Sequence, residues 1–110
     1  MNVTVNARHM DITDAIREYV EKKVAKLPKY YDNIDSIQVV LDMEGGQPAV
    51  EIVAHARRRQ VFVAHHRVDN SNGRDGDMYN AVDGCVEKAA EQIRRHKDKV
   101  RDRHVDKPDS

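Results

Sequence analysis

The sequence predicts an α+β domain in which a four-stranded sheet carries two helices on one face, in the order β-α-β-β-β-α. Three observations carry that expectation. Apolar and polar residues alternate with period two in four short stretches. Two other stretches repeat their apolar residues at helical spacing, one after the first strand and one after the fourth. Finally, 110 residues with 39% apolar and 35% charged content suffice for one core, but a thin one, best met by one layer of helices on one sheet.

The first strand is NVTVNAR, Asn2 to Arg8, with Val3, Val5 and Ala7 on one face. The period then changes in DITDAIREYVEKKVAKL. Thr13 or Asp11 can cap its start, Ile16, Val20, Val24 and Leu27 form its apolar stripe, and Pro28 predicts a stop near Leu27. IDSIQVVLDME alternates again, turning Ile37, Val39, Leu41 and Met43 inward, and Gly45-Gly46 breaks it. PAVEIVAHA offers Val50, Ile52, Ala54 and Ala56 as the inward set of a third strand. Arg57–Arg59 makes the next turn and QVFVAHHRV returns as the fourth strand. Its register is open at this stage: a two-residue turn is taken to pair Ala54 with Val63 and a three-residue turn with Ala64, which bury opposite faces. Asp69 to Gly76 reads as a loop, and Asp77 to about Arg101 as one long helix with Asp77 as N-cap. The domain is expected to span residues 1–102, with 103–110 a short flexible tail.

Charge totals are balanced, 19 Lys and Arg against 19 Asp and Glu, which argues against indiscriminate polyanion binding but not against a segregated surface. At about 100° per residue, Lys88, Arg95 and Lys99 share one flank of the last helix, interrupted by Glu91. Arg94 and Arg101 lie on the other flank beside Asp83, Glu87 and Asp98. Ala15, Tyr19, Lys22 and Lys26 line a flank of the first helix, with Lys23 at the stripe's edge and Lys29 just beyond. With both helices on one sheet face, these flanks are expected to join into one basic surface. Asp69, Asp75 and Asp77 supply the counterweight.

Other chemistry finds little footing. Cys85 has no second cysteine to pair with and reads as a half-buried, inert thiol of a reducing compartment. His65 and His66 are adjacent and must point to opposite sheet faces, so with His55 they form no metal set. Tyr79 is expected to pack on the loop and sheet, and Tyr30 or Tyr31 to anchor a connector. No nucleophile–base set is legible, so no enzyme, cofactor or metal is expected. The start, MNVTVNARHM, lacks the apolar region of a signal peptide, and no apolar run reaches a membrane span; a cytoplasmic protein is expected.

Asp77 to Lys99, DMYNAVDGCVEKAAEQIRRHKDK, closely resembles the last helix of the bacterial ribosome hibernation factors, the hibernation-promoting factor and ribosome-associated inhibitor family, also known as sigma-factor modulation proteins. An acidic residue, Met-Tyr and Ala open that helix, which runs through Asp-Gly to a Lys and a His-Lys end. DITDAIREYVEKKVAKLPKYYDNI resembles the family's first helix, and the likeness extends from Val3 to about Lys99. It implies a fold like the double-stranded-RNA-binding domain. It also implies a protein that binds the small ribosomal subunit and its rRNA at the decoding channel, blocks messenger and tRNA, and holds idle ribosomes inactive under stress and in stationary phase. The partners implied are the small subunit and the whole ribosome, with no DNA and no membrane, and a monomer off the ribosome.

By motif position Lys26, Lys29, Lys88 and Arg95 are the leading rRNA contacts, followed by Lys22, Lys23, Lys97 and Lys99. Three departures accompany the resemblance: Glu91 stands where the family commonly carries Arg, the loop from Asp69 to Gly76 is longer, and Arg57–Arg59 replaces a short polar turn. The chain's length resembles the short type, without the second domain that pairs ribosomes in long members. The older family name leaves a second reading, a module acting on a sigma factor or RNA polymerase.

Overall fold

Alternation is converted directly into a sheet with one buried face. A computed structural model describes residues 2–30, 34–68 and 77–105. In chain order they form β1 (Asn2–Arg8), α1 (Asp14–Val24), α2 (Leu27–Tyr30), β2 (Ile34–Glu44), β3 (Gln47–Ala56), β4 (Val61–Arg67) and α3 (Asp77–Val105). The strands lie in the order β1-β2-β3-β4. β1 runs parallel to β2, and the remaining pairs are antiparallel. The parallel step needs a crossover, which α1 and α2 provide.

Val5, Val39, Ile52 and Ala64 lie in register across the four strands and are all buried. α3 covers this face with Val82, Cys85, Ala89 and Ile93, and α1 adds Val20 and Val24. Burying such a side chain contributes about 1.5–3 kcal/mol, so this single layer accounts for the fold class. Among the described residues no element covers the opposite sheet face, where Val61 and Val63 are exposed at 41% and 49%.

The expected sheet and helix order holds, with four local corrections. α1 begins at Thr13, whose hydroxyl oxygen accepts from the Ile16 amide at 3.1 Å, but it ends at Val24 rather than near Leu27. Leu27, fully buried, opens a separate single turn. Pro28 sits inside that first turn, where no amide donor is required of it.

The β3–β4 register differs from both expected pairings, because Ala54 lies opposite Phe62. The turn does use three residues, Arg57–Arg59, and the Ala56 amide donates to the Gln60 carbonyl at 2.8 Å. Counting outward from that bond puts Phe62 and Ala64 in the core and turns Val61 and Val63 out. α3 continues four residues past Arg101, to Val105. Cys85 is fully rather than half buried. The loop of residues 69–76, Tyr31 and residues 106–110 lie outside the described residues, as do the side chains of Tyr30 and Asp77.

Candidate nucleic-acid interface

α3 lies between two neighbours and binds each with a different set of side chains. On one side Tyr79 packs edge-on against Tyr19 of α1, with ring centroids 4.8 Å apart. On the same side the Tyr19 hydroxyl donates to Asp83 at 2.6 Å. Tyr79 therefore packs on α1, and the loop it was expected to meet lies outside the described residues. On the other side Lys88 donates to the His65 carbonyl at 3.2 Å and Gln92 to the Val63 carbonyl at 2.6 Å. Those carbonyls belong to β4, the last strand of the sheet, so α3 also covers acceptors that an edge strand would otherwise offer to another chain.

Over the solvent side of α3 runs an open depression of about 890 Å³. Lys23, at the end of α1, and Lys26, in the link to α2, border it, as do Lys88, Arg94 and Arg95 of α3. Asp83, Glu87 and Glu91 also line it, so five cations face three carboxylates. Lys23 lies 3.5 Å from Asp83 and is half-buried. Glu91 accepts from Arg94 at 2.8 Å and from Arg95 at 3.0 Å. The hydrogen bonds from Arg94 and then Arg95 hold the Glu91 carboxyl below its ordinary range.

Four of the expected contacts, Lys23, Lys26, Lys88 and Arg95, thus border one surface. Lys22, Lys29 and Lys97 are exposed and make no ion pair among the described residues, but they do not line the depression. The side chain of Lys99 lies outside the described residues. The expected joining of flanks is corrected. The Lys88 flank faces β4, α1 lies on the Asp83 side, and the cationic surface connects over the top of α3 instead. Arg94, assigned above to the other flank, belongs to the same surface. Its signal in the sequence is Glu91, which reaches residues three and four positions ahead on a helix.

At one end of the depression His66 packs against Gly84. A Cβ at Gly84 would fall 2.4 Å from the imidazole, so only glycine leaves the ring its place. Burial, and then the nearby charges of Lys88 and His65, lower the His66 pKa, and its Nδ1 is buried without a hydrogen-bond partner. His65 is exposed on the opposite sheet face beside Glu44, at 3.4 Å, in keeping with the alternation. Cys85 donates to the Val50 and Ala64 carbonyls at 3.3 and 3.4 Å, and burial pushes its thiol up to about 12. Among the described residues no three His, Cys, Asp or Glu side chains gather as a metal set, and no helix is long and apolar enough to cross a membrane.

The chain matches the family described as Sigma 54 modulation protein / S30EA ribosomal protein over residues 3–101. It is 32% identical over 99 residues to the ribosome hibernation promoting factor of Azotobacter vinelandii, covering 90% of this chain and 85% of that protein. It is also 32% identical over 101 residues to the factor of the same name from Escherichia coli K12, covering 92% and 98%. Among solved structures, the Thermus thermophilus Protein Y N-terminal domain is similar at 33% identity with a TM-score of 0.71, covering 87% of this chain and 99% of that one. A ribosomal subunit interface protein from Coxiella burnetii shares the fold at 24% identity and a TM-score of 0.75, covering 88% and 98%. The chain belongs to the S30EA ribosomal protein (sigma 54 modulation protein) family, with the ribosome hibernation promoting factors among its relatives.

Proposed function

We propose that this protein is a ribosome hibernation factor that docks on the small ribosomal subunit and holds it out of translation. The observation that carries the reading is the convergence of Lys23, Lys26, Lys88, Arg94 and Arg95 on one open depression, in a chain whose relatives bear ribosomal names. Cations held on a rigid fold neutralise phosphates and release counterions. Structured RNA suits such a surface because it is read through its backbone and shape.

On this reading the depression takes the phosphate backbone of ribosomal RNA at the decoding channel. The folded body fills the space that messenger and tRNA need, in the cytoplasm of a starved or stationary cell. Lys22, Lys29 and Lys97, exposed outside the depression, add further RNA contacts on this reading, and Lys99 is proposed with them from its motif position alone. No bond is made or broken. Glu91 pairs with Arg94 and Arg95 in the free protein and offsets part of their charge, and phosphate oxygens compete for the same guanidiniums on docking.

Co-sedimentation with purified small subunits tests the reading. The protein pellets with them, loses binding as salt rises, and is displaced by messenger with tRNA. Failure to pellet, together with capture of a sigma factor from nuclease-treated lysate, supports the family's other name instead.

A further inference from the structure

The three arginines between β3 and β4 are used by nothing described so far. Arg57, Arg58 and Arg59 are all exposed, and among the described residues none makes a side-chain hydrogen bond or ion pair. Arg58 and Arg59 both hold positive φ, +63° and +62°, a region where a Cβ crowds the backbone and which glycine and asparagine enter most readily. The β2–β3 hairpin of the same sheet meets the same demand with Gly45 and Gly46, at +60° and +81°. One hairpin end is therefore relaxed, while the other keeps two arginines in a conformation that disfavours them. Strain retained in this way points to a function for the side chains.

The turn also lies where other cations gather. Lys88 meets β4 at His65, Gln92 meets it at Val63, and the His96 ring packs on Phe62 at 5.4 Å. α3 thus travels along β4 towards the Arg57–Arg59 turn. α2 leads to the same end of the sheet, because Ile34, which begins β2, pairs with Ala56. Lys29, Lys97 and the three arginines consequently sit towards one end of the sheet, while Glu44 and the glycine hairpin occupy the other. Arg59 lies six positions before His65, about 20 Å at strand rise, too far for one phosphate to meet both the turn and Lys88. The Arg95 end of the depression lies nearer, beside His96 on Phe62, but the turn itself is outside its lining.

We propose that the Arg57–Arg59 turn is a second RNA phosphate-backbone contact, separate from the depression over α3, so that structured RNA is held at two places. The proposal rests on the ribosome-binding reading. Guanidinium groups match phosphate oxygens in a two-pronged geometry, and three of them on a protruding turn reach a backbone without the folded body entering a groove.

The test replaces Arg57→Gln, Arg58→Asn and Arg59→Gly together, residues that suit the observed backbone, so the thermal midpoint stays level or rises. Affinity for purified small ribosomal subunits is measured between about 50 and 200 mM salt. The expected result is an affinity lower by about tenfold or more, with the slope of log K against log salt shallower by about 2. Unchanged affinity and slope, while Lys26→Glu with Arg95→Glu weakens binding and flattens the slope, would overturn the second contact and leave the first standing. Weaker binding at an unchanged slope would assign the turn to a protein surface and overturn the RNA proposal. Absence of binding by the wild-type protein would remove the ribosome reading and this inference with it.

Discussion

Tyr19 on α1 donates its hydroxyl to Asp83 on α3 at 2.6 Å, joining the two helices whose cations border the same depression. Lys23 completes the junction, 3.5 Å from Asp83 and 5.3 Å from the Tyr19 ring centre. The hydrogen bond to Asp83, helped by burial, raises the Tyr19 pKa to about 12. The phenol therefore keeps its proton at neutral pH, and the stability from this bond is lost only as pH rises from about 10 towards 12. Tyr19→Phe keeps the ring packing and removes the bond. With Asp83 partly solvated, the expected cost is about 1 kcal/mol, read as a lower urea midpoint at an unchanged m-value.

Gly84 is a helix-interior glycine that should resist improvement. On an open helix, Gly→Ala gains about 1 kcal/mol. Here the new methyl group meets His66, and overpacking costs about 1–3 kcal/mol. Gly84→Ala should destabilise the wild-type protein, and should stabilise it when His66→Ala opens the space. Additive effects of the two substitutions in chemical denaturation would contradict this packing.

Asp42 and His66 both shape the acid side of the stability curve, alongside Glu91. The hydrogen bond with His9, at 2.8 Å, lowers the Asp42 pKa. Its contribution is present above the ordinary carboxylate range and is lost as pH falls through the lowered value. His66 acts in a milder window. Its folded pKa is depressed by burial, so below about pH 6.5 the unfolded chain takes up a proton that the folded chain resists, and stability falls. The thermal midpoint of the wild-type protein should drop between pH 7.5 and 5.5 by more than that of His66→Asn (about these limits bracket the ordinary histidine pKa), and parallel curves would rule out the His66 contribution.

Glu91 restrains the site it belongs to. Because its carboxylate pairs with both Arg94 and Arg95, Glu91→Gln removes a negative charge from beside them and should tighten binding to small ribosomal subunits several-fold at low salt, with the gain shrinking as salt rises. Equal affinities measured by sedimentation would mean that the phosphates lie elsewhere.

The sheet was legible because each strand carries its own alternation: Val3, Val5 and Ala7 in β1 and Val50, Ile52 and Ala54 in β3 name the buried face without knowledge of their partners. Less local facts escaped the pattern. The register of β4 follows from the Ala56–Gln60 bond across a turn with two positive-φ arginines, and nothing in the composition of Arg57–Arg59 announces that geometry. Pro28 was readable as a break but not as the first turn of a new helix, because Leu27 is drawn into the core by tertiary contact. At the site, helical spacing grouped Lys88 with Arg95 correctly. Which side of α3 met α1 was decided by Tyr79 and Asp83, whose partner Tyr19 lies 64 residues before Asp83 in the chain.

The central claim, that the cations around α3 hold ribosomal RNA phosphates, is tested most directly by the salt dependence of binding to purified small subunits. For the wild-type protein log K should fall linearly with log salt, and Lys26→Glu with Lys88→Glu and Arg95→Glu should both weaken binding and flatten the line by about 3. A binding constant indifferent to salt, or a triple variant that binds as the wild type does, would contradict the account.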